Sequence, residues 1–411
     1  MQVLVLNAGS SSLKAQLLEM PAGTPRLTAQ FERLGTPEAQ LRMRWLSRSA
    51  LAGAREDAAP YTLSTALAFI TEILQDPKAF DLPEWGPVDA VGHRVVHGGS
   101  FFRETTVLDS AAEAALRRCV PLAPLHNPAN LEGLSACREA FPEAPQVAVL
   151  DTAFHQTLPP EAATYPLPSR LRDPDSGPPL RRYGFHGTSH QYVLREVART
   201  SNRAPEALNL ISFHLGNGCS AAAIRQGRCV ETTMGLTPLG GVMMGTRPGD
   251  LDPGVLLHLL REGIASEELD HVLNRESGLK GLAGTNDLRD VLALRDSGSA
   301  DAALAIDVFL HHLRKTLGAL WAVLGQVHAV AFTGGIGEHA PEARSRLLEG
   351  LEEWGVELDL ERNQHPGSGV VALQRPSGRV AIWVVPANEE LAIAQEVFRI
   401  LQVRTATASP D

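Results

Sequence analysis

Three glycine- and hydroxyl-rich segments of the 411-residue chain have the makings of anion cradles. They are Asn7-Ala8-Gly9-Ser10-Ser11-Ser12-Leu13-Lys14, His214-Leu215-Gly216-Asn217-Gly218 and Gly334-Gly335-Ile336-Gly337. Glycine lets backbone N–H groups approach a phosphate, hydroxyls donate to it, and Lys14 adds charge. None is a P-loop, which needs G-x-x-x-x-G-K-[ST]. Any one alone also reads as a plain turn; three, each after an apolar run, are harder to account for that way. The cations to go with them are Arg94, within Gly92–Gly99, and Arg247, within Gly245–Asp250. An arginine in a half-buried strand usually pairs with a structural carboxylate. Two in glycine-rich surroundings, beside phosphate cradles, suggest a clamp for a carboxylate and a phosphoryl group.

The densest polar run is Arg182-Tyr183-Gly184-Phe185-His186-Gly187-Thr188-Ser189-His190. A zinc motif would need Glu where Gly187 stands, and no Gly-x-Ser-x-Gly elbow surrounds Ser189. His186, between two glycines and ahead of a helix that Thr188 or Ser189 would cap, is placed to meet a ligand; His190 reads as a helix-packing histidine. His126, in Leu125–Asn130, reads as a helix-start residue, structural or facing an anion. Asp151 and Glu389 are the metal candidates, with Asn7 adding a neutral oxygen, because Mg²⁺ takes one or two carboxylates plus phosphate oxygens and water. Equally, Glu389 and Glu390 read as first-turn acids that complement a helix dipole.

The elements that must position these groups share one habit. Val3–Leu6, Val147–Leu150, Leu210–Phe213, Ala329–Phe332 and Val380–Val385 are short apolar runs, as strands covered on both faces should be. Each delivers polar or glycine residues at its C-terminal end, where open α/β sheets place their ligands. A strand, a Gly/Ser loop and a second strand occur near residue 7 and again near residue 214, which suggests a duplicated protein or simply two common hairpins. Helices are predicted at Leu63–Leu74, Ala111–Val120, Leu131–Ala140, Val255–Arg261 and Glu389–Leu401. Ala300–Leu324 reads as a buried spine, Thr157–Pro179 as an ordered excursion, and Thr405–Asp411 as a frayed tail.

Composition bounds the rest. With 37 Lys+Arg against 47 Asp+Glu the net charge is −10, and no basic stripe is visible to neutralise a nucleic acid. The most apolar stretch, near Leu317–Gly325, falls short of the ~18–20 residues of a membrane span. Met1-Gln2 has no basic n-region, so no secretory signal is expected. The four cysteines form no C-x-x-C pair, which predicts free thiols and a cytoplasmic protein.

Taken in order, these motifs resemble the acetate kinase (acetokinase) family of the actin/sugar-kinase/Hsp70 ATPase superfamily. The resemblance covers essentially the whole chain. It rests on the Asn7–Lys14 loop, Gly92–Gly99, Pro124–Asn130, Asp151–His155, Arg182–His190, His214–Gly218, Met244–Pro253, Asn286–Arg289, Phe332–Glu338 and Asn388–Leu391. It implies an α/β fold, a two-lobed, duplicated ribonuclease H-like architecture with the active site in the interlobe cleft, and a homodimer. The lobes would be 1–150 plus 390–411 on the acyl side and 151–389 for nucleotide. The implied reaction is reversible, Mg²⁺-dependent transfer (Mn²⁺ substituting) of the ATP γ-phosphoryl group to acetate, giving acetyl phosphate and ADP. Propionate or another short-chain acid is the alternative acceptor, and an actin- or chaperone-like ATPase the rival of another class. By the resemblance Arg94 and Arg247 hold acetate and the phosphoryl, His186 stabilises the transition state, and Asp151 orients the reacting groups or metal. Asn7 and Glu389 serve Mg²⁺, and Val96, Leu125, Phe185 and Pro238 receive the acetate methyl. Lys14, His214, Leu215, Gly216, Asn217, Gly218, Gly335, Ile336, Gly337 and His339 contact the phosphates and sugar, while Asp287, Leu288 and Arg289 flank adenine. His339 stands where the family usually has Asn, Leu288 where an aromatic is frequent, and Cys219 where Ala or Ser is usual.

Overall fold

A computed structural model describes residues 1–9, 11–47, 50–173 and 178–408. The chain forms two compact units, one of Met1–Ala153, Pro174–Pro179 and Asn388–Asp411, the other of Phe154–Asp173 and Leu180–Ala387.

The first unit is built on eight strands: β1 (Gln2–Ala8), β2 (Ser12–Glu19), β3 (Thr24–Glu32), β4 (Gln40–Ser47), β5 (Ala50–Ala58), β6 (Ala90–Val95), β7 (Thr106–Val107) and β8 (Gln146–Leu150). They lie in the order β5-β4-β3-β2-β1-β6-β8-β7. The second unit has β9 (Asn209–Leu215), β10 (Cys219–Arg225), β11 (Arg228–Thr232), β12 (Ala329–Thr333), β13 (Val371–Ala372) and β14 (Ala381–Val384), in the order β11-β10-β9-β12-β14-β13. Both sheets share one plan, an antiparallel three-strand meander, two parallel strands beyond it and then an antiparallel edge strand; in the first sheet β4 and β5 extend the meander to five strands. The duplication extends to register, since Val3 pairs with Ala90 as Leu210 pairs with Ala329. Buried and half-buried positions also follow the same sequence along β1 and β9. Asn7 therefore corresponds to His214, and Arg94 to Thr333. This is the duplicated actin-like ATPase fold.

The apolar runs explain why the sheets are covered on both faces. Successive side chains of a strand point to opposite sides. Leu4 and Leu6 of β1 pack in one cluster with Ala66, Leu67, Ile70 and Ile73 of helix α1 (Leu63–Gln75) and with Cys137 of α2 (Asn127–Ala140). Val3 and Val5 face the other way, with Val147 and Val149, onto Ile393, Ala394 and Val397. The covering helix on that side comes from the far end of the chain. Its seat is Gly92, where a Cβ would fall 2.7 Å from Val397 and 2.9 Å from Ile393. Full burial of Ile393 and Val397 contributes roughly 1.5–3 kcal/mol each. Helix α3 (Gly187–Thr200), which follows the last strands of the first sheet in sequence, belongs instead to the second unit and packs on β9.

Helix α4 (Ala300–Leu324) has the bounds its sequence predicts. It buries one stripe, from Ala302 and Ile306 through Leu313 to Leu324, while Leu304 is 54% exposed. It is an amphipathic cover helix, not a spine buried all round. The last helix, α5, runs Glu389–Ala408, past the expected end at Leu401, because no Gly or Pro interrupts the sequence before Pro410. The expected frayed tail is thus helical as far as Ala408, and 409–411 lie outside the described residues. In Thr157–Pro179 two single-turn helices, Pro160–Ala163 and Ser169–Arg172, give the excursion its order; 174–177 lie outside the described residues.

Candidate active site

Two groups of polar side chains form at strand ends, one in each unit. In the first, β1, β6 and the turn after β8 bring Asn7, Arg94 and Asp151 together, and the first turn of α5 adds Glu389. Arg94 donates from Nη2 to Asp151 Oδ2 at 2.6 Å and from Nε to Oδ1 at 3.2 Å, a two-pronged grip on a carboxylate that is 2% exposed. Its Nη1 donates to Asn7 Oδ1 at 3.2 Å and stands 3.7 Å from Glu389 Oε2. Asn7 Nδ2 donates to the same Glu389 oxygen at 3.4 Å. Burial opposes the Arg94 charge, but Asp151 and then Glu389 outweigh it and raise its pKa above the ordinary arginine value. The sequence boundaries at 150 and 390 put Asp151 and Glu389 in the second lobe. Both belong to the first unit, because both carboxylates bind its arginine.

The frame behind this group comes from α2. Asn130 donates from Nδ2 to Ala8 O at 2.7 Å and accepts from Val96 N–H at 3.2 Å. One buried amide thus bridges the ends of β1 and β6 just where their own pairing stops. Asn127 does the same at His97, accepting from its N–H and donating to its carbonyl. His126 is the N-cap residue of α2. Neither asparagine role is visible in the sequence beyond the Asn-Pro-Ala-Asn spacing.

The second group gathers at the ends of β9 and β10. His186 precedes α3 with φ +57°, a left-handed conformation uncommon outside glycine and worth attention when it sits at a functional position. Its Nδ1 lies 2.9 Å from Ser220 Oγ, and its ring centre 4.2 Å from that of His214. The helix begins at Gly187 with His186 at the N-cap, so Thr188 and Ser189 do not cap it as expected. Ser189 lies inside the first turn, and its hydroxyl reaches His214 Nδ1 at 2.8 Å. His155 holds the strained segment from behind. Its Nε2 lies 2.9 Å from the Phe185 carbonyl, which can only accept, so Nδ1 accepts from Cys229 Sγ at 3.1 Å. Burial lowers the His155 pKa to about 4.

Arg247 differs from Arg94 in having no carboxylate within 4.0 Å among the described residues. Its Nη1 donates to Pro238 O at 3.1 Å and to Met244 Sδ at 3.6 Å. Burial lowers its pKa, though an arginine stays charged regardless. Gly218 lies between it and His186: a Cβ there would be 3.5 Å from the imidazole and 3.6 Å from the guanidinium. The result is a half-buried cation beside a histidine, held by a carbonyl, with its charge uncompensated.

A cavity of about 680 Å³ opens next to this group. Of the expected nucleotide residues, Gly216, Asn217, Asp287, Leu288, Arg289, Gly335, Ile336 and His339 line it. Gly334–His339 is a helical turn and not an open loop, and nothing lies within 4 Å of where a Gly335 Cβ would stand. Leu215 and Gly337 are buried behind the wall, and His214 is engaged with Ser189. Lys14 belongs to the first unit, exposed on β2 and opposite Asn7 in register; Ser10 is outside the described residues. Asn286, Leu292, Ala340, Pro341, Glu342 and Gln364 complete the wall. Of the acyl-pocket residues, Val96 and Leu125 belong to the first unit, Leu125 being 46% exposed, while Phe185 and Pro238 belong to the second, with Phe185 fully buried.

An acetokinase-family model matches residues 2–395. The chain belongs to the acetokinase family. Acetate kinase of Streptomyces avermitilis is 47% identical over 97% of both chains. Acetate kinase of Porphyromonas gingivalis superposes with a TM-score of 0.88 at 37% identity, covering 97% of this chain and 99% of that one. A propionate kinase from Francisella tularensis gives 0.86 at 35%, covering 96% and 98%. Family membership carries the reaction class, a kinase whose phosphoryl acceptor is a carboxylate.

Proposed function

We propose that this acetokinase acts on acetate, transferring the ATP γ-phosphoryl group to give acetyl phosphate and ADP. The observation that carries the reading is Arg247, a half-buried guanidinium with no carboxylate partner among the described residues, next to His186 and the Gly216–Gly218 loop. A cation so placed is stabilised by an anion that the protein does not itself supply. Acetate suits the inventory because a carboxylic acid with a pKa of roughly 4 is already ionised at neutral pH, so no general base is needed. One carboxylate oxygen bonds to the γ-phosphorus as the bond to the β–γ bridging oxygen breaks, and ADP leaves with that oxygen. The remaining task is to bring two anions into line and offset their charge. In this assignment Arg94 and Arg247 supply the cations, Asp151 holds Arg94 in its working orientation, and His186 donates to the transferring group. The cavity walled by Asp287, Leu288 and Ile336 takes the nucleotide base and sugar.

Magnesium belongs to the same proposal. Among the described residues no three His, Cys, Asp or Glu side chains form a cage. The Asn7 amide oxygen with Asp151 and Glu389 nonetheless makes a small hard-oxygen set, which fits an ion that usually keeps water and phosphate ligands. Asn7 and Glu389 would hold Mg²⁺, or Mn²⁺, whose contribution is to neutralise phosphate charge. A second copy of the chain is the proposed partner. Helix Pro253–Arg261 buries none of its residues, although Val255, Leu257 and Leu260 are 43%, 51% and 42% exposed. Four buried cysteines, none in a disulfide, support a cytoplasmic setting. No helix among the described residues is long and apolar enough to cross a membrane.

Propionate is the second reading, favoured by the propionate kinase neighbour. One methylene is worth only ~1–3 kcal/mol of discrimination, so some propionate turnover is expected. Trapping acyl phosphate as hydroxamate, with acetate, propionate and butyrate side by side, tests both readings. Acetate is expected to give the highest kcat/KM; no ATP-dependent product with any of the three would end the proposal.

A further inference from the structure

Behind His186 lies a chain of four groups whose hydrogen-bond bookkeeping has one consistent direction. Ser220 Oγ is 2.9 Å from His186 Nδ1 and 2.8 Å from His190 Nε2, and His190 Nδ1 is 2.9 Å from Ser212 Oγ. Ser212, Ser220 and His190 are each fully buried. His190 is neutral there, since burial first, and then His155 and His214, hold its pKa well below the ordinary histidine value. A neutral imidazole donates from one nitrogen and accepts at the other, and a serine hydroxyl has a single proton to give. Two arrangements satisfy these counts along the chain. In one, every donor points from Ser212 toward His186; in the other, every donor points back.

Ser212 decides between them. His190 Nδ1 is the partner of its buried hydroxyl among the described residues. In the backward arrangement His190 donates to Ser212, and the serine proton is left buried without an acceptor, a costly outcome. In the forward arrangement Ser212 donates to His190 Nδ1, His190 donates from Nε2 to Ser220, and Ser220 donates to His186 Nδ1. We propose that Ser212, His190 and Ser220 are positioning residues that act as a one-way relay, fixing the tautomer of His186 so that its ring proton sits on Nε2. His186 is thereby a neutral donor through Nε2, with a ring orientation set from the core of the second unit. The histidine-packing reading of His190 is thus extended: it packs, and it passes a hydrogen-bond direction. The neighbours of the relay are the His155 ring, 5.9 Å from that of His190, and the His214 ring, 4.2 Å from that of His186.

The kinetic consequence rests on the kinase reading, but the tautomer does not, so two measurements separate the two. Long-range ¹H–¹⁵N correlation spectra of the full-length protein labelled at histidine report which nitrogen of each ring carries the proton. The expected result is Nε2–H for both His186 and His190 in the unmodified chain. Nδ1–H at either residue overturns the relay, whatever the enzyme does with acetate. Ser220→Ala is expected to lower kcat about tenfold while changing either KM less than twofold, and to free the His186 ring to exchange tautomers. Ser220→Thr, which keeps the hydroxyl, should restore both. Ser212→Ala, remote from any substrate, removes the directional bias and is expected to populate Nδ1–H at His190. An unaltered His190 tautomer in folded Ser212→Ala also overturns the relay. Absence of acyl-phosphate formation in the unmodified chain, with the tautomers as expected, refutes the kinase reading and leaves the relay standing.

Discussion

Replacing Asp151 by Asn tests whether the first group of site residues is held by the Arg94–Asp151 pair. The geometry sets the magnitude. Asp151 is 2% exposed and accepts two bonds from Arg94, at 2.6 and 3.2 Å. Asn keeps one oxygen to accept from Nε but turns an amide donor toward Nη2, so one charge-assisted bond, worth about 1.5–3 kcal/mol, becomes a donor–donor clash. What remains for the guanidinium is Asn7 and Glu389 Oε2, the latter at 3.7 Å and part-exposed. Removing one partner of a buried pair costs about 3–5 kcal/mol, and the residual Glu389 contact places Asp151→Asn near the lower end, about 3 kcal/mol. At about 2–4 °C per kcal/mol for a unit of this size, the melting temperature should fall about 6–12 °C. The orphaned charge is the larger part of that cost, so Arg94→Met/Asp151→Asn should be more stable than Asp151→Asn alone. Both variants should lose at least about 10³-fold in kcat, because the cation is misplaced in one and absent in the other. Urea titration and hydroxamate assays on the two single variants and the double complete the cycle. A double variant as unstable as the sum of the singles, or Asp151→Asn within 0.5 kcal/mol of the parent at roughly the noise of such measurements, would falsify the claim that this pair organises the site.

Three further outcomes are expected. Val96→Ala should raise the propionate-to-acetate ratio of kcat/KM by about 10-fold, the value of roughly one methylene, as measured by parallel hydroxamate assays. His93 and His155 are buried and neutral, both with folded pKa values lowered to about 4 by burial. The unfolded chain therefore binds protons that the folded one does not between pH 6.5 and about 4. The stability is present above pH 6.5 and lost as pH falls through that window, with a slope of about 1.4 kcal/mol per pH unit for each group; urea midpoints that stay level from pH 7 to pH 5 would contradict it. Leu257→Glu should shift the protein from dimer to monomer in light scattering, and an unchanged mass would remove helix Pro253–Arg261 from the interface.

The fold and the site were unequally legible in the sequence. Strand ends could be read because an apolar run that stops at Asn7, Asp151, His214 or Gly334 is a local signal; the two strand–loop–strand segments left duplication and chance hairpins both open, and the matching burial and register of β1 and β9 decide for duplication. The two glycines flanking His186 were likewise a local signal, and the structure gives that residue a left-handed backbone. Partnerships were not. Arg94 and Asp151 are 57 residues apart, Asn130 and Ala8 are 122 apart, and nothing local says that either pair meets. The cavity wall shows the same divide: Ile336 and Leu288 lie in glycine-rich or Asn-Asp segments that announce themselves, whereas Leu292, Glu342 and Gln364 arrive as ordinary helix residues carried there by packing. Ser220 carries no signal of its own in the sequence, and only its two histidine neighbours give it meaning.

The seat of α5 on Gly92 bears on how the protein is made. The strands Val3–Leu6 and Val147–Leu150 leave the ribosome early, yet Ile393 and Val397, which cover one of their faces, are translated after more than half the chain has followed. At about 5–20 residues per second, that face waits on the order of ten seconds or more without its own helix. Nascent chains halted before residue 389 therefore display an apolar sheet surface, the kind of surface that holdase chaperones bind and that drives aggregation when left bare.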